Sequence, residues 1–198
     1  MNRRTVLSGA AALASAALAP IAALAGPSPG RFQGTVLVDR RVPGAARFAH
    51  EARRLGSQVT FTDGDLTELW TRDLEQDWRM APSMMAGLTR RGPAWLLQLM
   101  AQRNRMRLAV RIDHQLMQTG LRHEVVVPAA LAARARRELD ADWIAGAAGL
   151  VVAYPAAGEP TAFTLDANGP AAEGDGSRFV SWLIAPVRSA HVSIARTA

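Results

Sequence analysis

TVLVDRRVPGAARFAHEARRLGSQVTFT occupies residues 35–62, and its reading decides the fold. Thr35 to Val38 is a short apolar run rich in β-branched residues, the signature of a strand that Asp39 ends. Pro43-Gly44 makes a turn. Ala45, Phe48, Ala49, Ala52 and Leu55 then recur at helical spacing, with Arg47, Glu51, Arg53 and Arg54 mainly on the opposite side. Gly56 stops that helix. Val59 and Phe61 alternate with Thr60 and Thr62, the period of a half-buried strand. The stretch therefore reads as one β-α-β unit, whose crossover should be right-handed.

Asp63-Gly64-Asp65 reads as a turn, with Asp65 placed to cap a helix that carries Leu66, Leu69, Trp70, Leu74 and Trp78 on one face. Ala81-Pro82 breaks it. Residues 83–91 read as a loop or a short helix. Pro93 opens another helix, apolar nearly all round over 95–100, so burial by more than one element is expected. A strand over 108–112 turns through 115–120 onto a second strand over 121–127. Pro128 starts a helix bearing Leu131, Ala135, Leu139 and Trp143, which Gly146 and Gly149 end. Short strands are expected over 150–154, 161–165, 179–184 and 191–194. The expected fold class is α/β: a small parallel β-α-β core with helices packed on the sheet and an antiparallel C-terminal extension. It forms a single domain over 35–198, preceded by a flexible linker over 26–34.

The 23 basic residues are all Arg, which sets the extreme isoelectric point of 11.3 although the net charge is only +6. They are scattered, often beside acids, rather than clustered with aromatics, which argues against nucleic acid as a partner. The absence of Cys excludes disulfides, thiolate zinc sites, Cys-ligated iron–sulfur clusters and a Cys nucleophile. Neither G-x-G-x-x-G nor G-x-x-x-x-G-K-[ST] is present, nor H-E-x-x-H or G-x-S-x-G. No catalytic residue, cofactor or metal is assigned. Asp113-His114 and His123-Glu124 do fall on facing arms of the expected hairpin, and their ligand types suit a divalent ion. Neighbours on a strand point to opposite faces, however, so only one of each pair can face a common ion. Ordinary cross-strand pairs are the competing reading.

Thr89-Arg90-Arg91-Gly92-Pro93 precedes a helix, where free backbone N–H groups, two guanidiniums and a hydroxyl suit a carboxylate or phosphate. Asp39, Arg40, Arg41 and Asp63 stand at strand C-termini, where open α/β sheets hold ligands, and can converge with Thr89, Arg90 and Arg91. These seven residues are the candidate site for a small anionic ligand. The competing reading is that the arginines pair with nearby acids or face water. Trp70, Trp78, Trp95, Trp143 and Trp182 read as core, with a ligand groove as the alternative. Met80, Met84 and Met85 beside Trp78 read as core or lid, with a partner surface as the alternative.

The chain opens MNRRTVLSGAAALASAALAPIAALAGP. The run from Thr5 to Ala25 carries no charge, yet Ala, Gly and Ser dominate it and Pro20 interrupts it, so its drive to stay in lipid is weak. Ala23-Leu24-Ala25 is the small-x-small pattern of a signal-peptidase site. Asn2-Arg3-Arg4-Thr5-Val6-Leu7 resembles the start of a twin-arginine (Tat) signal: two arginines, a spacer, then apolar residues. That family's pattern usually has Ser before the arginines and often Phe two places after them; here Asn2 and Val6 stand there. The resemblance covers residues 1–25 and implies a cleavable leader and a periplasmic destination. An uncleaved anchor and an ordinary secretory signal are the alternatives. The Tat route carries folded proteins, including accessory partners of cofactor enzymes. The functional expectation is an exported, non-catalytic partner of an exported redox enzyme. A periplasmic enzyme or small-anion-binding protein is the alternative.

Overall fold

The computed structural model of this chain describes residues 32, 34–118, 120–153, 158–167 and 177–187. The leader, most of the linker and the strand expected over 191–194 lie outside the described residues.

The β-α-β unit forms as its pattern dictates. Strand β1 (Thr35–Asp39) is followed by helix α1 (Ala45–Arg54) and strand β2 (Gln58–Thr62), which pairs parallel to β1. Ala45, Phe48, Ala49 and Ala52 are the buried stripe of α1. Gly44 precedes that helix at φ 78°, a left-handed conformation that favours glycine; a Cβ there would lie 2.8 Å from Ile144 Cδ1, the movable end of a side chain. The helical stretch after β2 runs as α2 (Thr67–Leu69), a π turn (Trp70–Leu74) and α3 (Glu75–Met80). Thr67 N–H donates to Asp65 Oδ1 at 2.8 Å, as capping by Asp65 requires.

Residues 83–91 depart from the expectation of a loop or short helix. Strand β3 (Met85–Arg90) lies there, parallel to β1. It is buried on both faces, so its sequence shows no alternation, and Gly87 at its middle disguises it further. A Cβ on Gly87 would collide with the Leu37 carbonyl and lie 2.8 Å from the Trp182 ring. The glycine thus marks a close approach within a sheet, not a turn.

Helix α4 (Arg91–Arg103) corrects a second expectation. It buries only Leu97 and Ala101 fully, while Trp95, Leu96 and Leu99 are 62%, 39% and 40% exposed. One face packs on the sheet and the rest meets solvent. The hairpin strands β4 (Met106–Met117) and β5 (Gly120–Pro128) are longer than expected. A third correction concerns residues 128–152. A short 3-10 turn leads into α5 (Ala132–Ala141), and a new helix, α6 (Trp143–Val152), follows at once. Residues 150–152 are therefore helical rather than strand. Asp142 separates the two helices, and its Oδ1 accepts from the Ile144 and Ala145 amides at 3.2 Å. Gly146 lies inside α6, where a Cβ would meet the Glu138 carbonyl at 2.6 Å. It permits close helix packing instead of ending the helix.

Strands β6 (Pro160–Ala167) and β7 (Arg178–Pro186) complete a seven-stranded mixed sheet of order β2-β1-β3-β7-β4-β5-β6. The β1–β2 and β1–β3 pairings are parallel and the others antiparallel. The chain is thus α/β, with a parallel core extended by antiparallel strands. Helices α1, α5 and α6 cover one face through Phe48, Leu139, Leu150 and their neighbours. Helices α2 to α4 cover part of the other through Trp78, Leu97 and Trp182. Each such fully buried large side chain contributes about 1.5–3 kcal/mol. Among the described residues no helix is long and apolar enough to cross a membrane.

Candidate binding cleft

The sheet order reverses between β1 and β3, because α1 leads one way to β2 and α4 leads the other way to β4. Such a switch point is where open α/β sheets hold ligands. Here it is closed by an ion pair. Asp39 is fully buried and accepts from Arg41 Nε at 3.0 Å, Arg41 Nη2 at 2.9 Å and the Arg41 amide at 3.0 Å. Burial alone would raise the Asp39 pKa, but the Arg41 hydrogen bonds and the charges of Arg41 and Arg90 hold the carboxyl below the ordinary range. The Arg41 guanidinium lies directly over Gly64, leaving no room for a Cβ there.

The seven candidate residues do not form one pocket. Arg40 reaches Asp63 at 3.9 Å on the surface and lays its guanidinium 4.3 Å from the Phe61 ring centre. Thr89 is buried, and its Oγ1 accepts from Trp182 Nε1 at 3.0 Å, a structural contact. Arg90 is exposed beside Asp39. Asp63 lines an open, mainly polar hollow of about 370 Å³ beside Leu69 and Arg72, and Arg91 lines a separate, more apolar concavity.

That concavity is a cleft of about 290 Å³ between the first turns of α4 and the face of β4 and β7. Trp182, Val180 and Leu108 form its apolar base, and Ala94, Trp95 and Gln98 of α4 form its wall. The Trp182 ring is fixed from two sides: Thr89 holds its N–H, and the missing Cβ of Gly87 lets the ring lie against β3. Arg91, Arg111 and Asp113 stand at the mouth. Arg111 grips Asp113 through Nε at 2.5 Å and Nη2 at 3.1 Å, and Arg91 Nε lies 3.3 Å from the same carboxylate. Two guanidiniums thus share one carboxylate. The hydrogen bond to Asp113 raises the Arg111 pKa further, with Asp113 and Glu124 adding their charges against partial burial. Glu124 lies directly across from Asp113 in register, on the open side of the sheet.

Sequence reasoning placed Arg91 in the candidate site, gave Trp95 and Trp182 a ligand groove only as the alternative to core, weighed Asp113 only as a metal ligand, and did not single out Arg111. The cleft exists because β7 pairs between β3 and β4, placing Trp182 opposite both Gly87 and Arg111. A long-range pairing of that kind leaves no local signal. The five tryptophans divide accordingly: Trp78 and Trp182 are core, Trp70 and Trp143 are half-buried, and Trp95 is exposed. Met85 is buried and Met84 half-buried, so these two methionines form no exposed apolar patch; Met80 alone of the three is well exposed.

On the other face of the same strands, the hairpin brings His114 directly opposite His123. Both are fully buried, with their Nδ1 atoms 2.8 Å apart, and His114 Nε2 lies 2.9 Å from Ser181 Oγ. His114 stacks on Phe179 at 4.9 Å and lies 5.0 Å from Trp143. His123 Nε2 has no hydrogen-bond partner among the described residues. Burial is the main cause lowering both imidazoles, His114 well below its ordinary value with help from His123, and His123 to about 4. Asp113 and Glu124 point to the opposite face, as alternation requires. Among the described residues no group of three or more His, Cys, Asp or Glu side chains could hold a metal ion.

No known protein family, curated protein or solved structure matches this chain.

Proposed function

We propose that the mature chain is an exported, non-catalytic binding protein whose ligand is a small anion on an apolar body, held in the α4 cleft. The observation that carries this reading is Asp113 shared between Arg91 and Arg111 at the mouth of an apolar concavity. One carboxylate leaves the two guanidiniums with spare donors and a net positive charge at the mouth, so an incoming anion finds charge-assisted partners there. Its apolar part gains from leaving water over Leu108, Val180 and Trp182. The non-catalytic part is supported by the state of the reactive groups. The His114–Ser181 pair is fully buried away from the cleft, and the cleft's own acid is ion-paired. Export and a periplasmic destination rest on the Tat-like leader.

The test is native mass spectrometry of the protein taken from its own envelope fraction. The expected result is a chain beginning near Gly26 that carries a small acidic molecule, lost in the R91A/R111A double variant. A chain still beginning at Met1 would remove the export reading. A ligand-free chain, or one whose ligand survives the double variant, would remove the binding reading.

A second reading, an accessory partner of an exported redox enzyme, is favoured by one observation. Trp95, Leu96 and Leu99 form an exposed apolar row on α4, continuous with the cleft. Co-purification of a redox enzyme that is lost on L96E/L99E, with cleft binding intact, would favour it.

A further inference from the structure

We infer that the cleft selects a planar aromatic ring bearing a carboxylate or similar anion, in preference to a flexible acyl anion or an uncharged ring. The inference rests on the binding reading above and adds the class of ligand. Two indoles bound the cleft. Trp182 is 1% exposed and immobilised by Thr89 and by the fit of its ring at Gly87, so it closes the floor rigidly and leaves Trp95 as the indole with a free face. Trp95 is 62% exposed on the opposing helix, with only its backbone position fixed by α4. An indole left in water beside an apolar cleft gains area and quadrupole complementarity when a second ring slides against it. An aliphatic chain gains the area alone. Rigid rings also lose little conformational entropy on binding, whereas each methylene of an acyl chain must be ordered.

The polar groups limit the ligand in the same direction. Gln98 is the one uncharged polar side chain lining the cleft, and it stands among apolar neighbours. All charge is at the rim, on Arg91, Arg111 and Asp113. A ligand that fits therefore carries its charge at one end and is apolar for the remainder. The cleft volume of about 290 Å³ accommodates one fused two-ring system and little more. Glu124 lies across the strand from Asp113 and repels a second negative charge that reaches past the rim. A monoanion is accordingly favoured over a dianion.

The experiment is isothermal titration of the full-length chain with four probes: 2-naphthoate, 2-naphthylmethanol, octanoate and naphthalene-2,6-dicarboxylate. 2-Naphthoate is expected to bind at least about tenfold tighter than each of the others. W95A should weaken 2-naphthoate about tenfold while changing octanoate little, and R111Q should weaken both acids while leaving the alcohol unchanged. Unchanged melting temperatures for W95A and R111Q exclude misfolding as the cause. Octanoate binding as tightly as 2-naphthoate would overturn the aromatic selection while leaving an anion-binding cleft. The alcohol binding equally well would overturn the anionic requirement. Binding by none of the four would overturn this inference and the proposed function together.

Discussion

His114 and His123 face each other across the β4–β5 hairpin with their Nδ1 atoms 2.8 Å apart, inside a wall of Phe179 and Trp143. Only one of the two can donate in that bond, so the pair is held neutral, one Nδ1 protonated and the other bare. A proton added to either ring would place charge where no solvent reaches. Folded pKa values lie below the unfolded value near 6.5, with His123 at about 4. The unfolded chain therefore takes up protons first as pH falls. Stability is complete above about pH 7 and declines progressively from pH 6.5 toward 4, by about 3 kcal/mol for His123 alone. Melting temperature measured from pH 7.5 to 4.5 should show this decline, and the H114L/H123F double variant should flatten it. A wild-type profile level between pH 7 and 5 would refute the neutral-pair account.

The carboxylates act in a different window. Asp39, Glu51, Asp65 and Asp166 are all held below their ordinary values. Their contribution is present above about pH 4 and is lost as pH falls through the lowered values. Asp39→Asn should cost about 1–3 kcal/mol at pH 7, because it leaves the half-exposed Arg41 guanidinium bonded to a weaker, buried acceptor. It should leave ligand binding in the α4 cleft unchanged, since Asp39 does not line that cleft. Urea denaturation and the same calorimetric titration read both quantities. A loss of binding without a loss of stability would return the switch point to candidacy as the site.

Gly87→Ala should destabilise by about 1–3 kcal/mol or more, because its Cβ meets the Leu37 backbone on one side and the Trp182 ring on the other. Backbone cannot yield, so the indole must. The same substitution should therefore weaken any cleft ligand through displacement of its base. The near-ultraviolet circular dichroism of Trp182 should change in step. An alanine variant with wild-type stability would show that the Gly87–Trp182 fit is looser than the geometry states.

Asp142→Ala should cost about 1 kcal/mol by uncapping α6, with Asp142→Gly milder. Arg47 also pairs with Asp142 from α1. A double-mutant cycle with Arg47→Ala should assign that exposed pair less than about 1 kcal/mol, leaving most of the loss to the cap. A coupling energy equal to the whole effect of Asp142→Ala would reverse the assignment.

The sequence foretold the elements whose pattern is local. The period of Ala45, Phe48, Ala49 and Ala52 describes α1, and alternation through Val59 and Phe61 describes β2. What it concealed lay where tertiary packing overrides local signals. Residues 83–91 read as a loop or short helix and Gly146 and Gly149 as a helix end, yet Gly87 sits in a strand buried on both faces and the other two lie within α6. Gly146 is there because α5 approaches too closely for a methyl group. Leu150-Val151-Val152 has strand composition but is buried as the end of that helix. The site was half legible for the same reason. Arg91 announces itself at a helix start, whereas Trp182 joins Arg111 and Asp113 only when β7 docks against β4.

Strand β7 comes after all its neighbours in the chain yet occupies the middle position between β3 and β4. Until residue 186 has emerged from the ribosome, β2-β1-β3 and β4-β5-β6 are two separate ribbons with facing bare edges. Helix α1 can already pack on α6, but the sheet cannot become continuous before that. A nascent polypeptide halted short of Arg178 therefore keeps two unpaired strand edges, and is expected to be protease-sensitive and aggregation-prone.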